Sequence, residues 1–243
     1  MVFGLFSKER ALQKTIEKAT NKLAQQPDRW SALEKLKEDG SEDALVGLCR
    51  RFAITSMKGV EDEAEKLWVV DTLVAKGQAA LAPVVRYMTM AEQLAFPLRV
   101  LERIASREKI LEVADQLFAS EPPGYVRMPE RRIDLLRWFA EWKPATDEEV
   151  VSRFTPYVTD FDENVRFAAI DGMATRDPAK IAPPLIAALI RPEEESGRIK
   201  RAIVEVLEKC KAPLGSQAAA VTAALTGPLG EDFKVDAGVI KKR

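Results

Sequence analysis

Residues 160–190 read DFDENVRFAAIDGMATRDPAKIAPPLIAALI, and the fold turns on how this stretch is parsed. Asp162 is a natural N-cap, and the acidic residues around it suit the positive end of a helix. Val165, Ala168, Ala169 and Met173 follow at helical spacing and form one apolar stripe, while Arg166, Asp171 and Arg176 fall off it. Asp177-Pro178 restarts a helix, with Asp as cap and Pro at the first position. Pro183-Pro184 predicts a loose first turn, with the firm part from about Pro184 to Ile190 carrying Leu185, Ile186, Leu189 and Ile190. Arg191-Pro192 stops it. The stretch is therefore two short helices, each with one apolar face, and neither can bury that face alone.

The unit recurs. Shifted by 34 residues, Val165–Ile170 overlies Ile199–Val204 with apolar and basic positions matched. Stretches of the same character lie upstream at Arg131–Trp138, Phe96–Leu101, Glu65–Val70 and Arg29–Leu33. Each is followed by a polar break and a second apolar helix, at Glu42–Phe52, Ala79–Met88, Lys109–Ala119, Glu148–Tyr157 and Gln217–Leu225. Helix pairs repeating at 20–50 residues are the signature of a solenoid.

The pattern Asp-x-x-Val-Arg-x-x-Ala, then Asp-Pro, then Ile-x-Pro-x-Leu-x-x-x-Leu resembles the HEAT-repeat family, best over Asp160–Cys210 and more loosely elsewhere. The resemblance implies an all-α fold: a right-handed α-solenoid of about six HEAT-like helix pairs over 26–229. Residues 1–25 are expected to form an apolar segment and a capping helix, Ser7–Gln25, with Leu12, Ile16, Ala19 and Leu23 on one face. Residues 230–243 form a tail without helical period, read as flexible, as packed on the last repeat, or as a docking peptide.

Composition narrows the chemistry. The chain has 243 residues, 47% hydrophobic and 31% charged, with a formal net charge of -1. Residues 1–120 hold 18 basic and 18 acidic side chains, so neither half has the basic excess of a nucleic-acid binder. There is no histidine, which removes the commonest general base and metal ligand. Cys49 and Cys210 stand far apart without ligand spacing, so no metal or other cofactor is expected. The cysteine usage, together with the want of a signal-like start or an apolar run of bilayer length, predicts a cytoplasmic protein.

The acidic runs Glu61-Asp62-Glu63, Asp147-Glu148-Glu149, Asp160/Asp162/Glu163 and Glu193-Glu194-Glu195 sit at expected helix starts and read as caps. Trp30, Trp68 and Trp138 read as core, and Trp142, near a helix end, as the exposed one. In solenoids of this kind the second helices line the concave face. The candidate partner-binding residues are therefore Arg50, Arg51, Arg86, Arg153 and Trp142, with Phe3 and Phe6 of the apolar start as a secondary docking point or a staple under the capping helix.

The expected role is a non-catalytic, cytoplasmic, bacterial adaptor or regulatory scaffold. Its partner is another protein, in one concrete version a small GTPase or its regulator, and neither nucleic acid nor an integral membrane contact is expected. The alternative is an enzyme similar to the HEAT-like alkylpurine DNA glycosylases, whose Trp and Asp find a weak echo in Trp68 and Asp71. Balanced charge stands against it. The HEAT-like deoxyhypusine hydroxylases need His-Glu pairs to hold iron, which a chain without histidine does not have.

Overall fold

The computed structural model describes the backbone of residues 2–243 and the side chains from Lys8 onward. The protein is all-helical apart from one short hairpin. It divides into two compact units, one ending at Leu117 and the other beginning at Phe118.

In the first unit α1 is Val2–Ala19, α2 Gln26–Asp39, α3 Glu42–Cys49, α4 Gly59–Lys76, α5 Gln78–Met88 and α6 Ala95–Ile104; α7, Arg107–Ser120, runs across the boundary. Helices α2, α4 and α6 pack in sequence order, and so do α1, α3 and α5. The α1 helix begins and ends earlier than the sequence predicts. It stops because Thr20 Oγ1 donates back to the Ile16 carbonyl at 2.9 Å and Asn21 Oδ1 accepts the Leu23 amide at 2.9 Å. Leu23 thus leaves the expected apolar face and is 79% exposed. The next helices are punctuated conventionally. Gly40 ends α2 in the left-handed conformation, φ 60°, and Ser41 caps α3 by accepting the Ala44 amide.

In the second unit α8 is Glu130–Glu141, α9 Asp147–Phe154, α10 Glu163–Met173, α11 Pro178–Ile190, α12 Gly197–Lys209, α13 Ala218–Ala224 and α14 Pro228–Asp232. Here α8, α10 and α12 are neighbours, and α11 packs against α9 and α13. Asp162 caps α10 through the Asn164 and Val165 amides, and Val165, Ala168, Ala169 and Met173 are all buried. Asp177 caps α11 through the Ala179 amide. The expected loosening at Pro183-Pro184 does not occur, and α11 is helical from Pro178. The two prolines withdraw only the donors that would meet the first-turn carbonyls of Ala179 and Lys180. The burial of Ile181, Ala182, Leu185, Ile186 and Leu189 holds the helix together around that loss.

One contact repeats with the helices. Arg132 of α8 pairs with Asp160 at 3.0 Å and donates to the Gly124 carbonyl at 2.6 Å. Thirty-four residues later, Arg166 of α10 pairs with Glu194 at 2.8 Å and donates to the Asp160 carbonyl at 2.9 Å. Each acid also accepts the amide two residues on: Asp162 to Asp160, and Ser196 to Glu194. Asp160 and Glu194 are therefore buried clasp members that organise the next helix start, a larger role than the capping read from sequence.

The tail is a hairpin, β1 Phe233–Asp236 with β2 Val239–Lys242, antiparallel with Asp236 opposite Val239. Its two-residue turn has Ala237 at φ 50° and Gly238 at φ 77°, the handedness that matches strand twist. Phe233 and Ile240 are buried against the last helices, and Arg201 of α12 pairs with Asp232 at 2.7 Å while lying over the Phe233 ring.

Candidate functional site

The side-by-side packing of α1, α3 and α5 leaves a groove of about 460 Å³ in the first unit. Its floor is apolar, with Ile16 and Val46 buried and Leu12 half-buried. Three arginines stand around it, one from each helix position: Arg10 on α1, Arg50 at the C-terminal cap of α3 and Arg86 on α5, all exposed. Arg86 is held by acids of α3, with Nη2 on Asp43 Oδ1 at 2.8 Å and Nη1 on Glu42 Oε1 at 3.5 Å. The Asp43 hydrogen bond is the main cause that raises the Arg86 pKa. Arg10 and Arg50 have no ion-pair or hydrogen-bond partner for their side chains among the described residues. A second concavity, about 410 Å³ in the other unit, is lined by Ala182, Pro183, Ile186, Ile190 and Leu214 and has no charged side chain in its wall.

The arginine pair at the end of α3 splits. At Arg50 the α-helix tightens into a single 3₁₀ turn, Arg50–Ala53, so successive side chains diverge by about 120°. Arg50 faces the groove and Arg51 points inward. Arg51 is completely buried: Nε donates to Glu65 Oε2 at 2.7 Å, Nη2 to Asp62 Oδ1 at 2.7 Å and Nη1 to the Ile54 carbonyl at 2.8 Å. Arg51 is thus removed from the partner-binding candidates, because all three guanidinium nitrogens are committed inside the protein. Glu65 also receives Arg29 at 2.9 Å, and Asp62 receives Lys66 Nζ at 2.7 Å and the Ser56 amide at 2.8 Å. Burial works to raise the Asp62 pKa, but the hydrogen bonds from Lys66, Arg51 and Ser56 outweigh it and lower it to about 2. Asp62 is therefore an ion-network member and not the helix cap expected from the Glu61-Asp62-Glu63 run.

The other candidates separate. Arg153 belongs to the second unit, half-buried on α9, with its guanidinium 5.2 Å from the Phe139 ring centre and Nη1 on the Glu149 carbonyl at 3.0 Å. Trp142, expected at the surface, is 2% exposed. The chain turns inward after α8, with the Ala145 amide bonding the Trp142 carbonyl, and the ring stacks on Trp138 at 6.3 Å and against Phe139 at 5.7 Å. The side chains of Phe3 and Phe6 lie outside the described residues.

The tryptophans nearest the surface are instead Trp30 and Trp68, expected in the core but both half-buried, with ring centres 5.1 Å apart and Lys37 Nζ 5.5 Å from the Trp68 ring. Sequence held a signal for this: Ala32, Leu33 and Leu36 define the buried stripe of α2, and Trp30 falls on its flank. Asp71, one turn after Trp68, pairs with Arg103 at 2.8 Å on the surface.

Among the described residues no three His, Cys, Asp or Glu side chains converge as a metal site, and no helix is long and apolar enough to cross a membrane. Burial pushes the Cys49 thiol pKa far up, so it is no nucleophile at neutral pH. Around its apolar floor the groove sets three arginines, Arg10, Arg50 and Arg86, and three acids, Glu9, Asp43 and Glu42. Comparison with known proteins returned no matching family model, no matching curated protein and no matching solved structure.

Proposed function

We propose that the protein is a non-catalytic adaptor that binds another protein through the surface formed by α1, α3 and α5. The observation that carries this reading is that the guanidiniums of Arg10 and Arg50, without an ion-pair or hydrogen-bond partner among the described residues, line a groove with an apolar floor. An apolar centre with a polar rim is the anatomy of a protein interface, and arginine is enriched among residues that dominate binding energy. The side-by-side order of alternate helices and the Arg–acid clasp repeating after 34 residues support reading the helix pairs as HEAT-like repeats of a right-handed solenoid. A small GTPase or its regulator is the concrete partner to assay first.

The test is affinity capture from cytosol at low salt and at ~0.3 M salt, with wild-type protein and the Arg10→Glu/Arg50→Glu variant. A stoichiometric protein retained at the higher salt by wild type and lost by the variant supports the adaptor. A partner that the variant retains places the interface elsewhere.

The half-exposed Trp30–Trp68 pair, with Lys37 above it and the Asp71–Arg103 pair one turn on, favours one second reading, a glycosylase-type DNA-binding enzyme. Aromatic faces stack on bases, and such binding is steeply salt-dependent. Trp68→Ala would then abolish DNA binding measured by anisotropy at low salt. Absence of binding by wild type at 50 mM salt ends that reading.

A further inference from the structure

We infer that the turn between α1 and α2 and the segment entering α4 together form a docking site for the surface of an anionic phospholipid bilayer. The site shares no residue with the α1–α3–α5 groove, so it does not rest on the adaptor reading. Among the described residues the three most exposed large apolar side chains are Met57, Val60 and Leu23, at 94%, 87% and 79%. They are not scattered. Met57 and Leu23 line one concavity of about 480 Å³, and Val60 lies in the first turn of α4, three residues after Met57. Single exposed apolar side chains are ordinary, whereas a gathered set marks an interaction surface. Both tips are also held from beneath. Arg29 donates to the Ala24 carbonyl, Arg51 donates to the Ile54 carbonyl at 2.8 Å, and Asp62 accepts the Ser56 amide at 2.8 Å. The buried ion network thus grips the backbone next to Leu23 and Met57 and fixes both side chains outward.

Each tip has a lysine beside it in the chain, as Lys22-Leu23 and Met57-Lys58. Lys58 pairs with Glu61 at 3.0 Å, and Lys22 has no ion-pair partner among the described residues. Beneath them Arg29, Arg51 and Lys66 face only Asp62 and Glu65. The concavity wall, counted with all its ion-pair partners, therefore holds five cations and three acids. The neighbouring Lys18–Asp28 pair is neutral, and including the exposed Glu63 of the next turn still leaves a positive balance.

These charges favour a bilayer over a protein. Lysine is depleted in protein interfaces, but beside an anionic bilayer each one adds attraction while its stem lies along the apolar layer. Two projecting tips would need two matching pockets in a protein, and a fluid bilayer takes them without a shape match. Leu23, Met57 and Val60 enter the acyl boundary, with Lys22 and Lys58 at the level of the lipid phosphates. So few apolar groups bind reversibly, and the contact needs both the apolar tips and the lysines.

The experiment is flotation of the full-length protein with vesicles of phosphatidylcholine alone, and of phosphatidylcholine and phosphatidylglycerol in equal parts. Wild type is expected to bind the mixed vesicles at least about tenfold more tightly than the neutral ones, and to be released by high salt. Leu23→Ser/Met57→Ser and Lys22→Gln/Lys58→Gln each weaken that binding at least about tenfold. All four side chains are exposed, so both variants keep the fold, which circular dichroism melting verifies. Arg50→Ala, in the groove, floats as wild type does. Wild type that floats with neither vesicle overturns the inference. Equal binding to neutral vesicles overturns the anionic surface, and binding retained by Leu23→Ser/Met57→Ser overturns the assignment to these loops. A concentration-dependent mass that this variant loses, without flotation of wild type, overturns the bilayer in favour of a second copy of the chain.

Discussion

Replacing Arg51 by alanine is predicted to destabilise the first unit severely. The side chain is wholly buried and makes two charge-assisted hydrogen bonds at 2.7 Å and one to a carbonyl at 2.8 Å. Its loss leaves Glu65 to Arg29 alone and Asp62 to Lys66 and the Ser56 amide. Truncating one partner of a buried ion pair costs about 3–5 kcal/mol, because the desolvation of the remaining charges is no longer offset. A domain's whole stability is roughly 5–15 kcal/mol, so the effect is large.

The same network gives an acid signature. Asp62 titrates near 2 when folded and at the ordinary carboxylate value of 3.8 when unfolded. A depressed folded pKa contributes stability that is present above the unfolded value and lost as pH falls through the folded one. Here that is about 2 kcal/mol, disappearing between pH ~5 and ~2. Without Arg51 the Asp62 pKa moves back up, and this part of the acid dependence flattens. The assay is urea unfolding at pH 7 and along an acid series, with amide hydrogen exchange to localise the loss to α2–α4. Arg50→Ala is the control and stays within about 0.5 kcal/mol of wild type. An Arg51→Ala protein within 1 kcal/mol of wild type, with an unchanged acid slope, would refute the reasoning.

The tryptophans give a ranking: Trp142→Ala costs about 3–5 kcal/mol, and Trp30→Ala, which removes a half-exposed ring, about 1–2 kcal/mol; equal shifts in urea midpoint contradict the burial described. Ala169→Asp places an unpaired charge in the buried stripe of α10 and is expected to unfold the second unit, so an unchanged melting curve refutes the register of that helix. Gly172→Ala sets a methyl against the Phe154 ring and within 3.0 Å of Ala140 Cβ, costing about 1–3 kcal/mol. Gly197→Ala meets open space and stabilises by about 0.4–1 kcal/mol, so a loss of stability there contradicts the environment assigned to that position.

The helices of this protein are legible in its sequence because their determinants are local. Asp162 and Asp177 cap α10 and α11 through amides two or three residues on, and Val165, Ala168, Ala169 and Met173 are buried as their spacing requires. Caps and periodicity act over one or two turns, and a one-dimensional reading sees that range. Arg50 and Arg86 meet in one groove because α3 and α5 pack side by side.

Tertiary structure decided what depends on partners distant in the chain. Nothing local separates Arg50 from Arg51; the choice is made by Glu65, 14 residues on, and by the tightening of the helix between them. Trp142 is buried because the chain folds back after α8 onto the rings of Trp138 and Phe139, whereas Trp30 and Trp68 find each other at a half-open surface across 38 residues. The α11 helix runs through Pro183-Pro184 because neighbours bury its apolar side. Periodicity sets which face of a helix seeks cover, but long-range packing alone determines which charges are drawn beneath that cover and which stay outside in water.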